Sequence, residues 1–131
     1  MSNFYVEYHR RKDGQGIVNY DALELYYRQH PPKNATIAYV LSAFDRVEYY
    51  IYNKDGEIQG SFFLTACEDM HHGKVAVLAA HWIRPTARCK ELHRLVMWYV
   101  KRFCATHGIR KYQRTVNVSS SRQLLITKEV S

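Results

Sequence analysis

The side chains best suited to chemistry in this 131-residue chain fall between Cys67 and Ser120. His81 follows the apolar run Val75-Ala76-Val77-Leu78-Ala79-Ala80, and an imidazole with an ordinary pKa of ~6.5 suits a general base. Strand alternation equally allows a histidine turned away from any cleft. Glu68 and Asp69, just before His71 and His72, are further candidate bases, or simply a polar turn. Cys67, His71, His72 and His81 are zinc-ligand types, yet their spacing matches no common structural pattern, so no metal is expected. Cys89 opens a basic segment of the kind that lowers a thiol pKa, but no His and Asp constellation accompanies it for nucleophilic catalysis.

Charge is concentrated. Nine basic residues and one acidic residue, Glu91, lie between Arg84 and Arg114, a local +8 in a chain of net +7, so the remaining residues sum to −1. Such a stretch attracts an anion: a cofactor phosphate, a nucleic acid backbone or an acidic protein surface. The eleven tyrosines, Tyr26-Tyr27 and Tyr49-Tyr50 among them, offer either base-stacking surfaces or cross-strand packing. Trp98 falls off the best apolar face of its helix and suits an interface anchor, or packing under the sheet edge.

These residues need elements to position them. With 47% hydrophobic and 24% charged residues, the composition is that of one compact domain with its own core, and we expect a single domain over residues 1–131. The polar, aromatic start and the lack of a long apolar run lead us to expect a protein of the cytoplasm with no membrane partner. Three cysteines without CxxC spacing point to reduced thiols. Phe4 to His9 reads as a strand ended by Lys12 to Gly16. A helix capped by Asn19 stops at Pro31-Pro32, and Asn34 caps a second one with Ile37, Ala38, Leu41 and Phe44 or Asp45 on one face, although Thr36 to Leu41 also reads as strand. Val47 to Asn53 and Glu57 to Cys67 form a hairpin about Lys54-Asp55-Gly56. A polar turn over Glu68 to Gly73 leads to a strand, Lys74 to Ile83, whose apolar run suggests burial on both faces. The longest helix runs from Ala87 to Thr106 and is capped by Gly108. Tyr112 to Val118 is a strand, and Ser119-Ser120-Ser121 caps a short helical segment to Lys128. The fold class is therefore α+β: an antiparallel meander, then a long helix and a parallel strand, flanked by helices.

That order, with a strand ending Ile83-Arg84-Pro85 and a basic segment opening the long helix, resembles the GNAT superfamily of acyl-CoA-dependent N-acyltransferases. Family members end the strand in Val-x-Pro and continue in a Gln/Arg-x-x-Gly-x-Gly/Ala loop, whose backbone N–H groups hold the cofactor pyrophosphate at a helix N-terminus. Arg88 and Lys90 fit this pattern, whereas the two glycines fall on Cys89 and Glu91 and the next small residue on His93. An inward Glu91 carboxylate ~4 Å from a phosphate charge would oppose it by roughly 4 kcal/mol at an effective dielectric of 20. Asn117 and Ser120 match a second landmark, while the tyrosine that often protonates the leaving thiolate is replaced by Gln123-Leu124-Leu125. The family's last strand is not expected before Ser131, so a strand borrowed from a neighbouring subunit, and with it a homo-oligomer, is one expectation.

The resemblance implies acetyl-CoA along Trp82 and Ile83, with its pyrophosphate at Arg88, Cys89, Lys90, Glu91, Leu92 and His93. His81 or Glu68 would then be the base for an amine acceptor. The segment Cys89 to Leu125 is also similar in style to short, glycine-poor GNAT-like proteins of tailed phages, which would place the chain in the host cytoplasm or the virion. Two alternatives stand beside N-acetyl transfer. One is a non-catalytic GNAT-fold phage virion or host-factor-binding protein acting through its basic helix and Trp98. The other is nucleic acid binding through Arg84 to Arg114.

Overall fold

The structure is a computed structural model, and it describes residues 3–29, 42–119 and 122–130. Strands β1 (Phe4–Arg11), β2 (Arg46–Asn53), β3 (Ile58–Asp69), β4 (Gly73–Ile83), β5 (Lys111–Ser119) and β6 (Arg122–Glu129) follow one another in one mixed sheet, in the order β1 to β6. Helix α1 (Tyr20–Gln29) precedes β2, and α2 (Lys90–His107) joins β4 to β5. The β4–β5 step is parallel, with Ala76 opposite Tyr112 and Leu78 opposite Arg114, as a helical crossover requires. This is the α+β class expected.

Contacts divide the chain into two compact units: residues 1–63 with 80–89, and residues 64–79 with 90–131. In the first, β1 pairs antiparallel with β2 from Phe4–Asn53 to Arg11–Arg46. Asn19 caps α1 by accepting the Ala22 N–H at 3.1 Å. The hairpin at Lys54 to Gly56 closes through Asn53, whose side-chain oxygen accepts the N–H groups of Asp55 and Glu57, and Gly56 takes the φ of +80° the turn demands. Ala22, Tyr50 and Trp82 form this unit's core cluster.

In the second unit α2 buries Leu92, Val96, Val100, Phe103 and Cys104 along one face. Gly108, at φ +66°, ends the helix while the Ile109 N–H returns to the Cys104 carbonyl at 2.8 Å. In the apolar run of β4, Val75, Ala76 and Leu78 are buried but Val77, Ala79 and Ala80 only partly, so the strand is less fully covered than expected.

Two expectations need correction. The segment before Lys128 is a strand, not a helix, and it supplies a last strand where none was expected. β6 pairs antiparallel with β5 from Lys111–Glu129 to Asn117–Gln123, with an irregularity between Asn117 and Ser119. The run Leu124-Leu125-Ile126-Thr127 finds ladder partners there, and tertiary pairing outweighs a local capping signal. The edge beyond β5 is thus filled by the chain's own residues. Glu68 and Asp69, in turn, are the final residues of β3 and not part of the turn, which spans Met70 to His72. The second helix expected after Asn34 lies outside the described residues, apart from its last positions. No helix among the described residues is long and apolar enough to cross a membrane.

Candidate functional site

Inside β4, beyond its opening Gly73, the backbone departs from strand geometry at Ala80. Ala80 has φ +49°, the one positive φ at a non-glycine residue among those described. An L-residue pays roughly 1–2 kcal/mol for the left-handed region, so the surroundings must hold it there. Beside the kink, Gly60 of β3 lets the next residues of β4 come close, since a Cβ at Gly60 would stand 2.7 Å from both the Trp82 carbonyl oxygen and Cδ1 of Ile83. His81 follows the kink directly. Its ring is exposed and meets Phe62 edge-on at 6.3 Å, and Phe62 stacks on Tyr49 at 4.6 Å. The Trp82 indole is buried, and its Nε1 has no hydrogen-bond partner among the described residues. Arg84 is tied down: its guanidinium donates twice to the Ile58 carbonyl, at 3.2 and 3.0 Å. That cation therefore serves the fold.

A narrow crevice, too tight for a water molecule, lies against Ala80 between Asn19, Tyr26, Tyr50, Ser61 and Phe63. Behind it lies a buried polar network that sequence reasoning missed. The Glu48 carboxylate accepts from the Tyr50 phenol, from the Val18 N–H at 2.9 Å and from Arg46 at 2.8 Å. Arg46 and Glu48 are fully buried side chains, and Arg46 also donates to the carbonyls of Gln15 at 2.7 Å and Phe44 at 3.1 Å. Burial, then the neighbouring Glu48, raises the Tyr50 pKa far above its ordinary value, so the phenol keeps its proton. The signal was present in the sequence: Arg46, Glu48 and Tyr50 sit at alternate positions of one strand face.

After β4 a short turn, Pro85 to Ala87, leads to α2. Ala87 N–H donates to the Arg84 carbonyl at 2.8 Å, and Arg88 N–H to the Pro85 carbonyl at 3.5 Å. No residue from Arg84 to His93 has a positive φ, so Cys89 and Glu91, which the resemblance sets at glycine positions, carry no left-handed backbone strain. Arg88, Cys89, Lys90 and His93 are exposed, Glu91 is partly so, and Leu92 is 1% exposed, leaving it only its backbone to offer a ligand. The stretch thus carries exposed cations at a helix start, which fits a pyrophosphate, with Glu91 as its one acid.

Other sequence candidates have other work or no described partner. Glu68 is exposed near the end of β3. Asp69 accepts from Gln113 Nε2 at 3.0 Å and from the N–H groups of His71 and His72, and those bonds, Gln113 first, hold its carboxyl below the usual range. Burial, then Asp69 and Glu68, pushes the Cys67 thiol up. His72 Nδ1 accepts from Lys111 Nζ at 3.3 Å, and no metal-holding cluster occurs among the described residues. Asn117 pairs with Gln123 in the β5–β6 ladder, and Ser120 lies outside the described residues.

This architecture is the GNAT fold. No protein-family model matches the chain, and no curated protein matches it in sequence. Solved structures do match in shape. A Lactobacillus plantarum protein assigned as an N-acetyltransferase superposes at TM-score 0.67 with 9% identity, over 99% of this chain and 100% of its own. A GNAT family acetyltransferase from Elizabethkingia anophelis, with acetyl-CoA bound, gives 0.57 at 17% identity, over 92% of this chain and 70% of its own. An acyl-CoA N-acyltransferase from Pseudomonas aeruginosa gives 0.61 at 11%, over 86% and 80%.

Proposed function

We propose that the chain is an acyl-CoA-dependent N-acyltransferase, acetyl-CoA being the natural donor to test. The observation that carries this reading is the kink at Ala80 in β4, within the GNAT fold, directly beside an exposed imidazole at His81. A strained backbone residue persists where its surroundings over-determine it, and such residues concentrate at functional sites. The thioester would supply an acyl carbon open to attack by an amine. Arg88, Lys90 and the first N–H groups of α2 would hold the pyrophosphate, and His81 would take the proton from the acceptor ammonium, with Glu68 as the second candidate base. Isothermal titration of acetyl-CoA into the full chain tests the reading. Micromolar binding, lost in Arg88→Glu, supports it, and no binding up to millimolar overturns it.

One feature favours a second reading. Glu91 places an acid in the first turn of α2, which suits the helix dipole but opposes a phosphate. A non-catalytic GNAT-fold protein, acting through its surface on a virion or host partner, would keep such a residue at no cost. Stable co-purification with a protein partner, insensitive to CoA and to nuclease, would select it.

A further inference from the structure

The second unit carries a groove that shares only His93 with the residues set against the acyl donor. Along α2, His93, Arg94, Met97, Trp98 and Lys101 recur at the i, i+1, i+4, i+5, i+8 spacing of one surface stripe. With Tyr112 of β5 and the end of β6 they line an open groove of about 430 Å³, within the size range of ligand sites. Trp98 is 51% exposed although its helix already buries a complete apolar face through other residues. The Arg102 guanidinium lies 5.2 Å from the Trp98 ring centroid, and Tyr99 meets the indole edge-on at 4.8 Å. The ring is thus oriented from its own helix while half its surface faces solvent.

The lining selects a class of ligand. Arg94 and Lys101 in the groove, with Arg102 beside it, make a cationic stripe ~12 Å long on a helix rising 1.5 Å per residue. An acidic peptide would satisfy those cations but leave the indole unused. A polymer that alternates flat π-faces with phosphates uses both. Glu129, the one acid in the lining, repels a phosphate but accepts a hydrogen bond from an exocyclic amino group of a base. We propose that this groove binds single-stranded nucleic acid, with one base stacked on Trp98 and the flanking phosphates on Arg94, Lys101 and Arg102.

The test is fluorescence anisotropy of a labelled mixed-sequence 12-mer, as DNA and as RNA, titrated with the full chain. Binding is expected at 50 mM salt and to weaken about tenfold to twentyfold at 200 mM, as about three neutralised phosphates on a single strand dictate. Trp98→Ala is expected to weaken binding about tenfold, the order found for removing one stacking platform. Buried Trp82 then reports by its emission that the variant is folded. Lys101→Glu, a surface change, is expected to weaken binding as well, and it decides the matter if Trp98→Ala does not fold. The proposal is overturned by no binding at 50 mM salt, by unchanged affinity in the folded variants, or by an oligoglutamate that binds as tightly as the 12-mer. Displacement of the 12-mer by saturating acetyl-CoA also overturns it, because the groove would then serve the acyl donor. Absence of acetyl-CoA binding leaves this proposal standing and sinks the other, so the two fail separately.

Discussion

The phenol of Tyr50 donates its hydrogen to the carboxylate of Glu48, two residues earlier on the same face of β2, and both side chains are fully buried. Glu48 in turn holds the guanidinium of Arg46, and Arg46 fastens the backbone at Gln15 and Phe44. One carboxylate therefore organises the floor beneath the space at Ala80.

Removing that carboxylate leaves a buried cation uncompensated. Glu48→Ala should destabilise the chain by about 3–5 kcal/mol, the range for breaking a buried pair. Urea unfolding followed by circular dichroism measures this. A loss below about 1 kcal/mol would mean that water or another group takes over the Arg46 charge.

Tyr50 predicts an alkaline limb. Its pKa is raised in the fold, by burial first and then by Glu48, so the unfolded chain loses this proton more readily than the folded one. Its contribution is complete below the ordinary tyrosine pKa of ~10 and declines as pH rises beyond it. Tyr50→Phe should flatten the fall in melting temperature between pH 9 and about 11. An unchanged slope would show that other groups cause it.

Asp69 predicts the acid limb. Its carboxyl is held low by Gln113 first and then by backbone N–H groups, so its contribution is present above the ordinary carboxylate pKa and fades as pH falls below it. Gln113→Ala should shift acid unfolding toward higher pH. Identical acid midpoints for the two proteins would refute the assignment.

The close approach at Gly60 sets a steric limit. A methyl group there meets the carbonyl oxygen of Trp82, which is backbone and cannot swing aside. Gly60→Ala should cost about 1–3 kcal/mol, and Gly60→Val more. Thermal melts of both variants would reveal it, and a neutral Gly60→Ala would mean that β4 shifts freely.

Ala80 gives the complementary case. Ala80→Gly should raise stability by up to about 1 kcal/mol, because glycine adopts positive φ without a Cβ penalty but loses more entropy on folding. Ala80→Val should destabilise, since a branched Cβ tolerates that region least. A Val variant as stable as wild type would show that the kink is not retained in solution.

Local signals in the sequence were enough for much of this protein. The Asn19 cap, the hairpin about Lys54-Asp55-Gly56 and the glycine stop at Gly108 are decided within a few residues, and each stands in the structure as its residues imply. The apolar spacing of α2 was equally plain, whereas the choice between an exposed and a packed Trp98 was left to the structure, which exposes it. The tertiary structure alone decided what depends on a distant partner. Leu124 to Thr127 became strand because β5 offered a ladder, and nothing within that segment distinguishes it from a short helix. The left-handed Ala80 and the tethering of Arg84 to Ile58 arise where β3 and β4 meet at Gly60. The burial of Arg46 and Glu48 likewise needs carbonyls some 30 residues away. Helix and turn preferences are written into neighbouring residues. Burial, backbone strain and charge pairing are settled only when segments far apart in the chain share one core.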